Sequence, residues 1–418
     1  VDVTDAAAAP SGAVTRSSVV RVGAATALTA LCGYAVLYLA ARDLEPAGFS
    51  VFGVFWGAFG LVSGAAFGLL QETTREIRSA ASADPAAART HPLRIGAGVG
   101  VTAAVLIAAS APLWSQHVFV EDRVLSVVLL CGGLAGFCLH TTLLGALAGA
   151  DRWSQYGALM VTDAVLRVAV AVATFAVGWG LGGYLWATVA GAIAWLLLLV
   201  TSPTTRAAAR LLTSVDTVTF LRGTGHSIAA AGASAVLVMG FPVLLKATSG
   251  DDLGATGGVV ILAVTLTRAP LLVPLTAMQG NLIAHFVDQR THRLKALAAP
   301  AALVGGLGAV GIALAAAFGP WLLREGFGDE YLADGALLAW FTAAAVAIAL
   351  LTLTGAATVA AALHRAYAVG WLSATVASTL LLLLPLELEL RTVIALLCGP
   401  LLGMAVHLGA LARLHTAG

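Results

Sequence analysis

Apolar residues run through this chain in blocks of about twenty separated by short polar turns, without the one-sided stripe of a helix that packs on a soluble core. A helix that crosses a bilayer needs about 20 predominantly apolar residues. On that template the blocks near 19–41, 49–71, 93–113, 124–149, 155–177 and 182–201 predict six spans, and those near 225–248, 255–278, 296–319, 334–356, 367–385 and 391–413 predict six more. The Ala-rich polar stretch 1–18 reads as an N-terminal tail leading through Arg21 into an uncleaved first span. The longest connections on the tail side are 72–92 and 202–224. The latter divides the chain into an N-terminal six-helix lobe, 19–201, an inter-lobe linker, 202–224, and a C-terminal six-helix lobe, 225–413. The expected fold class is therefore an all-α polytopic membrane protein of about 12 transmembrane helices in two six-helix bundles.

Composition agrees with lipid as the solvent: 60% of the residues are hydrophobic and 10% are charged, and the mean hydropathy is +0.95. A net charge of +1 with scattered basic residues excludes a nucleic-acid binder, which concentrates Lys and Arg on one face. Fifteen of the 22 basic residues fall on the side of the N-terminus and five on the other, among them Arg42, Arg123 and Arg391. The acid-rich loops Glu325–Asp334 and Glu387–Glu389 join those five. Short cytoplasmic loops retain Lys and Arg, so the bias places both termini in the cytoplasm and the chain in the cytoplasmic membrane. Two lysines and a single asparagine beside abundant Ala, Gly, Val and Arg are the bias of a GC-rich bacterial genome. Cys32, Cys131, Cys138 and Cys398 all lie in apolar runs without metal-ligand spacing and read as small buried side chains.

An ionised side chain at the centre of a span costs about 2.5–3.5 kcal/mol, so each one must face protein, water or ligand. The fifth span carries Asp163 and Arg167 four residues apart, on one helical face and in the favourable acid-before-base order. The pair serves either as a self-neutralised packing element or as a gate that an anion or a proton opens. Arg268 in the eighth span has no acid within four residues and is followed by Pro270 and Pro274, which free backbone carbonyls. It is the strongest single candidate for an anionic head group, against the alternative of an arginine satisfied by carbonyls of a neighbouring helix. His140, His226 and the Asn281–His285 pair are polar candidates able to carry a proton, His140 with Asp163 as a coupling or gating group. Lys246 would snorkel to the outer interface. Asp43 and Glu45 form a D-x-E like that of membrane glycosyltransferases, in a loop too short for donor and acceptor and beside Arg42, which can pair with them.

No P-loop, H-E-x-x-H or G-x-S-x-G motif occurs, so neither ATP hydrolysis within the chain nor a catalytic or metal site is expected. No cofactor is called for. Transport would draw on a proton or sodium gradient, on consumption of product, or on membrane potential, worth about 2.3 kcal/mol per charge across 100 mV.

Three segments resemble the polysaccharide-flippase branch of the multidrug/oligosaccharidyl-lipid/polysaccharide exporter superfamily: Gly33 to Phe52, the cytoplasmic-edge motif Gln71-Glu72-Thr73-Thr74-Arg75, and Arg268-Ala269-Pro270. The resemblance implies two bundles in a V around a central cavity whose basic residues hold the diphosphate of a polyprenyl-linked glycan during alternating access. Arg268 takes that role by position, joined by Arg167 in the membrane and by Arg42 at the outer mouth. The partners implied are a lipid-linked glycan, membrane lipids and glycosyltransferases of the same pathway. The chain lacks the two further C-terminal helices of peptidoglycan-precursor flippases, which favours another cell-envelope glycan. The alternatives are a cation-coupled multidrug exporter, for which Asp163 is the sole intramembrane acid, and a membrane glycosyltransferase or a scaffold of a glycan-assembly complex.

Overall fold

The computed structural model describes residues 16–80, 90–250, 252–278, 282, 285–286 and 293–416. Among them every regular element is a helix: α1 (Arg16–Ala80), α2 (Pro92–Val118), α3 (Arg123–Gly149), α4 (Trp153–Val177), α5 (Gly180–Ala190), a 3-10 turn (Gly191–Ile193), α6 (Ala194–Thr201), α7 (Pro203–Ala209), α8 (Thr217–Val238), α9 (Phe241–Ser249), α10 (Gly254–Ala277), α11 (Arg293–Phe327), α12 (Gly335–Ala360), α13 (His364–Leu382) and α14 (Leu388–Thr416).

Straightened, the 65 residues of α1 would extend roughly 98 Å at about 1.5 Å per residue, three times a hydrocarbon core of ~30 Å. The chain turns at Glu45, whose φ of 54° and ψ of 172° leave the helical region. Pro46 favours the break, because its ring disfavours a helical ψ at the preceding residue. The expected outer loop is thus one residue between two helical arms, which supply the first two spans. Among the described residues nine helices are long and apolar enough to cross a membrane, and the bent pair α8–α9 makes a tenth. Folding of α1 into two arms adds another, and α13, begun by His364 and Arg365, completes the expected set.

Three elements depart from the expected boundaries. The seventh span is broken between α8 and α9 by 62°. The sixth is interrupted by the 3-10 turn. The linker 202–224 contains α7, whose Ser202 side chain accepts from the Thr205 amide, and the first turns of α8.

In the first lobe α3 packs on α1 and α2 and is half buried, while α4 and α5 close over α1. In the second, α12 packs on α10, α11 and α14, and α13 bridges α14 to α8. α11 keeps only 6% of its most apolar window buried and presents most of that window at the surface of the bundle. The second arm of α1 joins the lobes. Its Gly53, Gly57, Gly60, Gly64 and Gly68 meet, in order, Ile261 of α10, Pro242 of α9, Met239, and Ala235 and Ile228 of α8. A Cβ at Gly64 would lie 2.6 Å from that of Ala235, and one at Gly68 2.5 Å from the Ile228 Cα, so both positions need glycine for the helices to touch. With no hydrophobic drive between helices in lipid, such close approach of small residues supplies the packing energy.

Candidate functional site

Arg268 sits where the seam meets the broken seventh span. Pro242 has no N–H, so the Val238 carbonyl four residues earlier loses its helical partner, and α8 ends there. The Arg268 Nη1 donates to that carbonyl at 3.2 Å, and the guanidinium lies 5.2 Å from the centroid of the Phe241 ring. Arg268 is 7% exposed, and among the described residues its Nη2 has no hydrogen-bond partner. It therefore bonds a neighbouring helix's carbonyl through one arm and keeps the other uncommitted.

Asp163 and Arg167 form the expected pair, with Nε and Nη2 each 3.0 Å from a carboxylate oxygen. The Arg167 Nη1 donates to the Thr188 carbonyl, one turn before the 3-10 interruption of the sixth span. A Cβ on Gly191, in that interruption, would collide with the Asp163 carboxylate and lie 2.7 Å from the Arg167 Nε. The break and the missing side chain therefore make room for the pair. The guanidinium also stacks 5.3 Å from the Phe59 ring on α1. His140 is buried within electrostatic range of both ions, stacked on Phe137 at 5.2 Å, and its Nδ1 has no hydrogen-bond partner among the described residues.

The two arginines do not converge. Phe59 faces Arg167 and Phe137 in the first lobe, whereas Gly57 and Gly60 of the same arm face Pro242 and Met239 beside Arg268. The second arm of α1 stands between them. Arg167 is committed to Asp163 within its own lobe, whereas Arg268 makes no ion pair among the described residues.

Toward the Arg-rich end, the Gln71-Glu72-Arg75 motif is helical, since α1 continues to Ala80. Arg75 bonds Glu72 through Nε and Nη2 and reaches Glu76 at 2.9 Å. The buried Glu72 packs on Gly223 and accepts from Ser227 at 3.4 Å, both on α8 of the other lobe. At the opposite end of the seam the Tyr331 hydroxyl donates to the Ala41 carbonyl at 2.9 Å, and Tyr38 meets Phe327 edge-on. Burial first, then Glu330 and Glu45, push the Tyr331 phenol above its ordinary value and keep this donor protonated. Arg42 lies near Gly328 and, among the described residues, makes no ion pair with Asp43 or Glu45, contrary to expectation. Asp43 instead approaches the buried Tyr184, whose hydroxyl donates to the Leu39 carbonyl. Lys246, in the last turn of α9, is 7% exposed and reaches the exposed Asp252 of the following loop at 3.2 Å. His226 and His285 are exposed, and Asn281 lies outside the described residues.

Sequence reasoning passed over His407, which is fully buried in α14 and hydrogen-bonded to α12 and α13. An imidazole in the middle of an apolar span was the available signal. It also passed over the five seam glycines, spaced four, three, four and four residues apart, the helical register of a small-residue ridge.

Two helical lobes meeting along a glycine seam, with charges buried at helix breaks, define a polytopic membrane protein of two helical bundles. The chain superposes on the inward-facing conformation of a multidrug resistance MATE family transporter of the MOP superfamily with a TM-score of 0.70 at 16% identity, covering 96% of this chain and 99% of the other. An outward-facing conformation of a MATE family transporter matches at 0.64 and 16% identity, covering 96% of each chain. Uncharacterized protein Rv3630 of Mycobacterium tuberculosis is 71% identical over 407 residues, 97% of this chain and 94% of the relative. Uncharacterized protein Rv1510 of the same organism is 69% identical over 416 residues, 99% and 96%. The chain belongs to the protein family of Rv3630 and Rv1510. No protein-family model matches it.

Proposed function

We propose that this protein is a flippase that carries a polyprenyl-diphosphate-linked glycan of the cell envelope across the cytoplasmic membrane by alternating access. The observation that carries the reading is the uncommitted Nη2 of Arg268, a guanidinium with no acidic partner among the described residues, buried at the broken seventh helix where the lobes meet. A diphosphate is the ligand class that a bare guanidinium edge recognises. The glycan crosses between the lobes while the isoprenoid stays in lipid, and Arg42, near the opposite end of the seam, meets the anion as it leaves.

The Asp163–Arg167 pair acts as the coupling or gating unit with His140: a proton on the carboxylate releases Arg167 and loosens the contact between α4 and the sixth span. A sodium gradient or membrane potential is the other candidate energy source. Cation-coupled drug export is the competing reading, supported by the shared fold. Against it, Asp163 is paired with Arg167, and a carboxylate held in this way does not offer a cationic drug a free counter-ion. A glycosyltransferase role for Asp43 and Glu45 loses its loop to the helical turn.

The test is depletion of the protein in a mycobacterial host, followed by mass spectrometry of lipid-linked glycans and by their accessibility to a membrane-impermeant enzyme. The expected result is a lipid-linked glycan accumulating on the cytoplasmic face, cleared by the wild-type chain but not by Arg268→Ala. No accumulation sinks the flippase reading, and clearance by Arg268→Ala removes Arg268 from it.

A further inference from the structure

The second lobe holds a polar cluster unrelated to Arg268. His407 is fully buried in α14, with its ring stacked parallel to Tyr367 of α13, 5° between planes. Nε2 lies 3.2 Å from the Tyr367 carbonyl, which can only accept, so this nitrogen carries a proton. Nδ1 lies 3.1 Å from the Thr354 hydroxyl of α12, and that hydroxyl is also 3.0 Å from the Leu351 carbonyl.

We propose that His407 is a proton-binding site, taking up a proton from water at Nδ1 while the Thr354 hydroxyl turns from the ring to the Leu351 carbonyl. Thr354 has one hydrogen. With a neutral ring it points at Nδ1; with an imidazolium it points at Leu351, and its oxygen accepts from Nδ1–H. Both states leave each ring nitrogen hydrogen-bonded, because the Thr354 hydroxyl can serve Nδ1 as donor or, with its own proton on the Leu351 carbonyl, as acceptor; a histidine kept only for packing would stay neutral throughout the titration. The surroundings fit the ring closely. A Cβ at Gly370 would collide with it, so α13 presents only backbone there.

The charged state meets no fixed counter-ion. α13 presents Tyr367 as the titratable group facing the ring, and α12 presents Thr354 and the Leu351 carbonyl. Among the described residues, no ionisable side chain of α10, α11 or α14 itself bonds the ring. The Tyr367 hydroxyl in turn engages Ser234 of α8, next to the Ala235 that packs on Gly64 of the seam. A charge gained at His407 is therefore two hydrogen-bonded residues from the contact between lobes. The assignment goes beyond the flippase reading and does not depend on the identity of the cargo.

The test is ring-nitrogen NMR of protein labelled with 15N-histidine in lipid nanodiscs, titrated from about pH 5 to 8, the range in which histidines change charge, with His407→Gln identifying the resonances. The expected result is an Nε2–H tautomer at high pH whose Nδ1 signal moves to that of a protonated nitrogen as pH falls. Thr354→Val, which removes the acceptor for Nδ1–H, shifts the midpoint down by a unit or more, and Thr354→Ser restores it. An Nδ1 that stays bare throughout, or a midpoint indifferent to Thr354→Val, overturns the proposal. If His407→Gln does not fold, the two threonine variants still decide it. None of these outcomes depends on glycan accumulation, so failure here and failure of the flippase reading are told apart.

Discussion

Replacing Arg268 by Met tests whether this arginine is kept for packing or for a ligand, because its contributions nearly cancel. The substitution removes a charge-assisted hydrogen bond to the Val238 carbonyl, worth about 1.5–3 kcal/mol, and a desolvated stacking contact on Phe241, worth about 1–2 kcal/mol. It also removes an unpaired cation whose burial in a membrane costs about 2.5–3.5 kcal/mol. The net loss is therefore between nothing and about 2 kcal/mol, and Met retains much of the stem volume. A chain of 418 residues shifts its melting temperature by roughly 1 °C per kcal/mol, so Arg268→Met should melt within about 3 °C of the wild type. Thermal unfolding in nanodiscs, followed by tryptophan fluorescence, reads this directly. Glycan clearance in the depleted host should nevertheless be lost. A drop of more than about 10 °C would refute the reasoning and make Arg268 a clamp on the broken helix. Arg268→Lys should be nearly as stable and should also fail, since an ammonium cannot lie flat on Phe241 while bonding Val238.

The Asp163–Arg167 pair should behave in the opposite way. Asp163→Ala alone leaves Arg167 uncompensated and should cost about 3–5 kcal/mol in the same melt, whereas Asp163→Leu with Arg167→Leu should recover most of that loss; clearance that survives in the double variant would reduce the pair to packing. Gly191→Ala drives a methyl into the carboxylate and should weaken the first lobe by about 1–3 kcal/mol. Along the seam, Gly64→Val should separate the lobes, seen as faster labelling of a cysteine introduced at Ser227, while Gly98→Ala, with open space around it, should be neutral or stabilising by up to about 1 kcal/mol. The Asp216 carboxylate that caps α8 is held below its ordinary value by the Thr219 side chain and by the Thr219 and Val218 amides. Its folded value is the lower one, so the cap is intact above the ordinary carboxylate range and is lost as pH falls through that range and below; amide exchange at 217–220, corrected for intrinsic rate, should speed up there, and Asp216→Ala should abolish the dependence.

Block length and charge bias made the helices legible because lipid imposes both: backbone groups in the membrane must be paired within a helix, and apolar runs must match the bilayer. The Asp163–Arg167 pair was legible for the same reason that it forms, four residues of one helix being one turn. What lay beyond reading was set between helices. Nothing near Arg268 in sequence names Val238, thirty residues earlier, as its acceptor. Pro242 was visible, but its effect on the Val238 carbonyl matters only once α10 lies alongside. The tight turn at Glu45 was hidden by its composition, since A-R-D-L-E-P reads as a polar loop and folds as helix on both sides of one residue. His407 escaped because a lone histidine in a span says nothing of partners on two other helices.

The contrast between the two buried arginines also bears on how such a protein could change state. A neutral pair such as Asp163–Arg167 can stay inside one lobe through any lobe movement, because its partners move with it. Arg268 differs: its bond ties α10 to the end of α8 within the second lobe, next in sequence to the Met239 and Pro242 that press on the glycines of α1. Parting the lobes would leave the Arg268–Val238 bond intact and bring water or an anion to Nη2, lowering the cost of the buried charge in the open state. Closure would raise that cost again unless an anion remained. On this argument an anionic cargo is what makes the loaded, closed lobes cheaper to reach than the empty ones, and a cationic cargo would make them dearer.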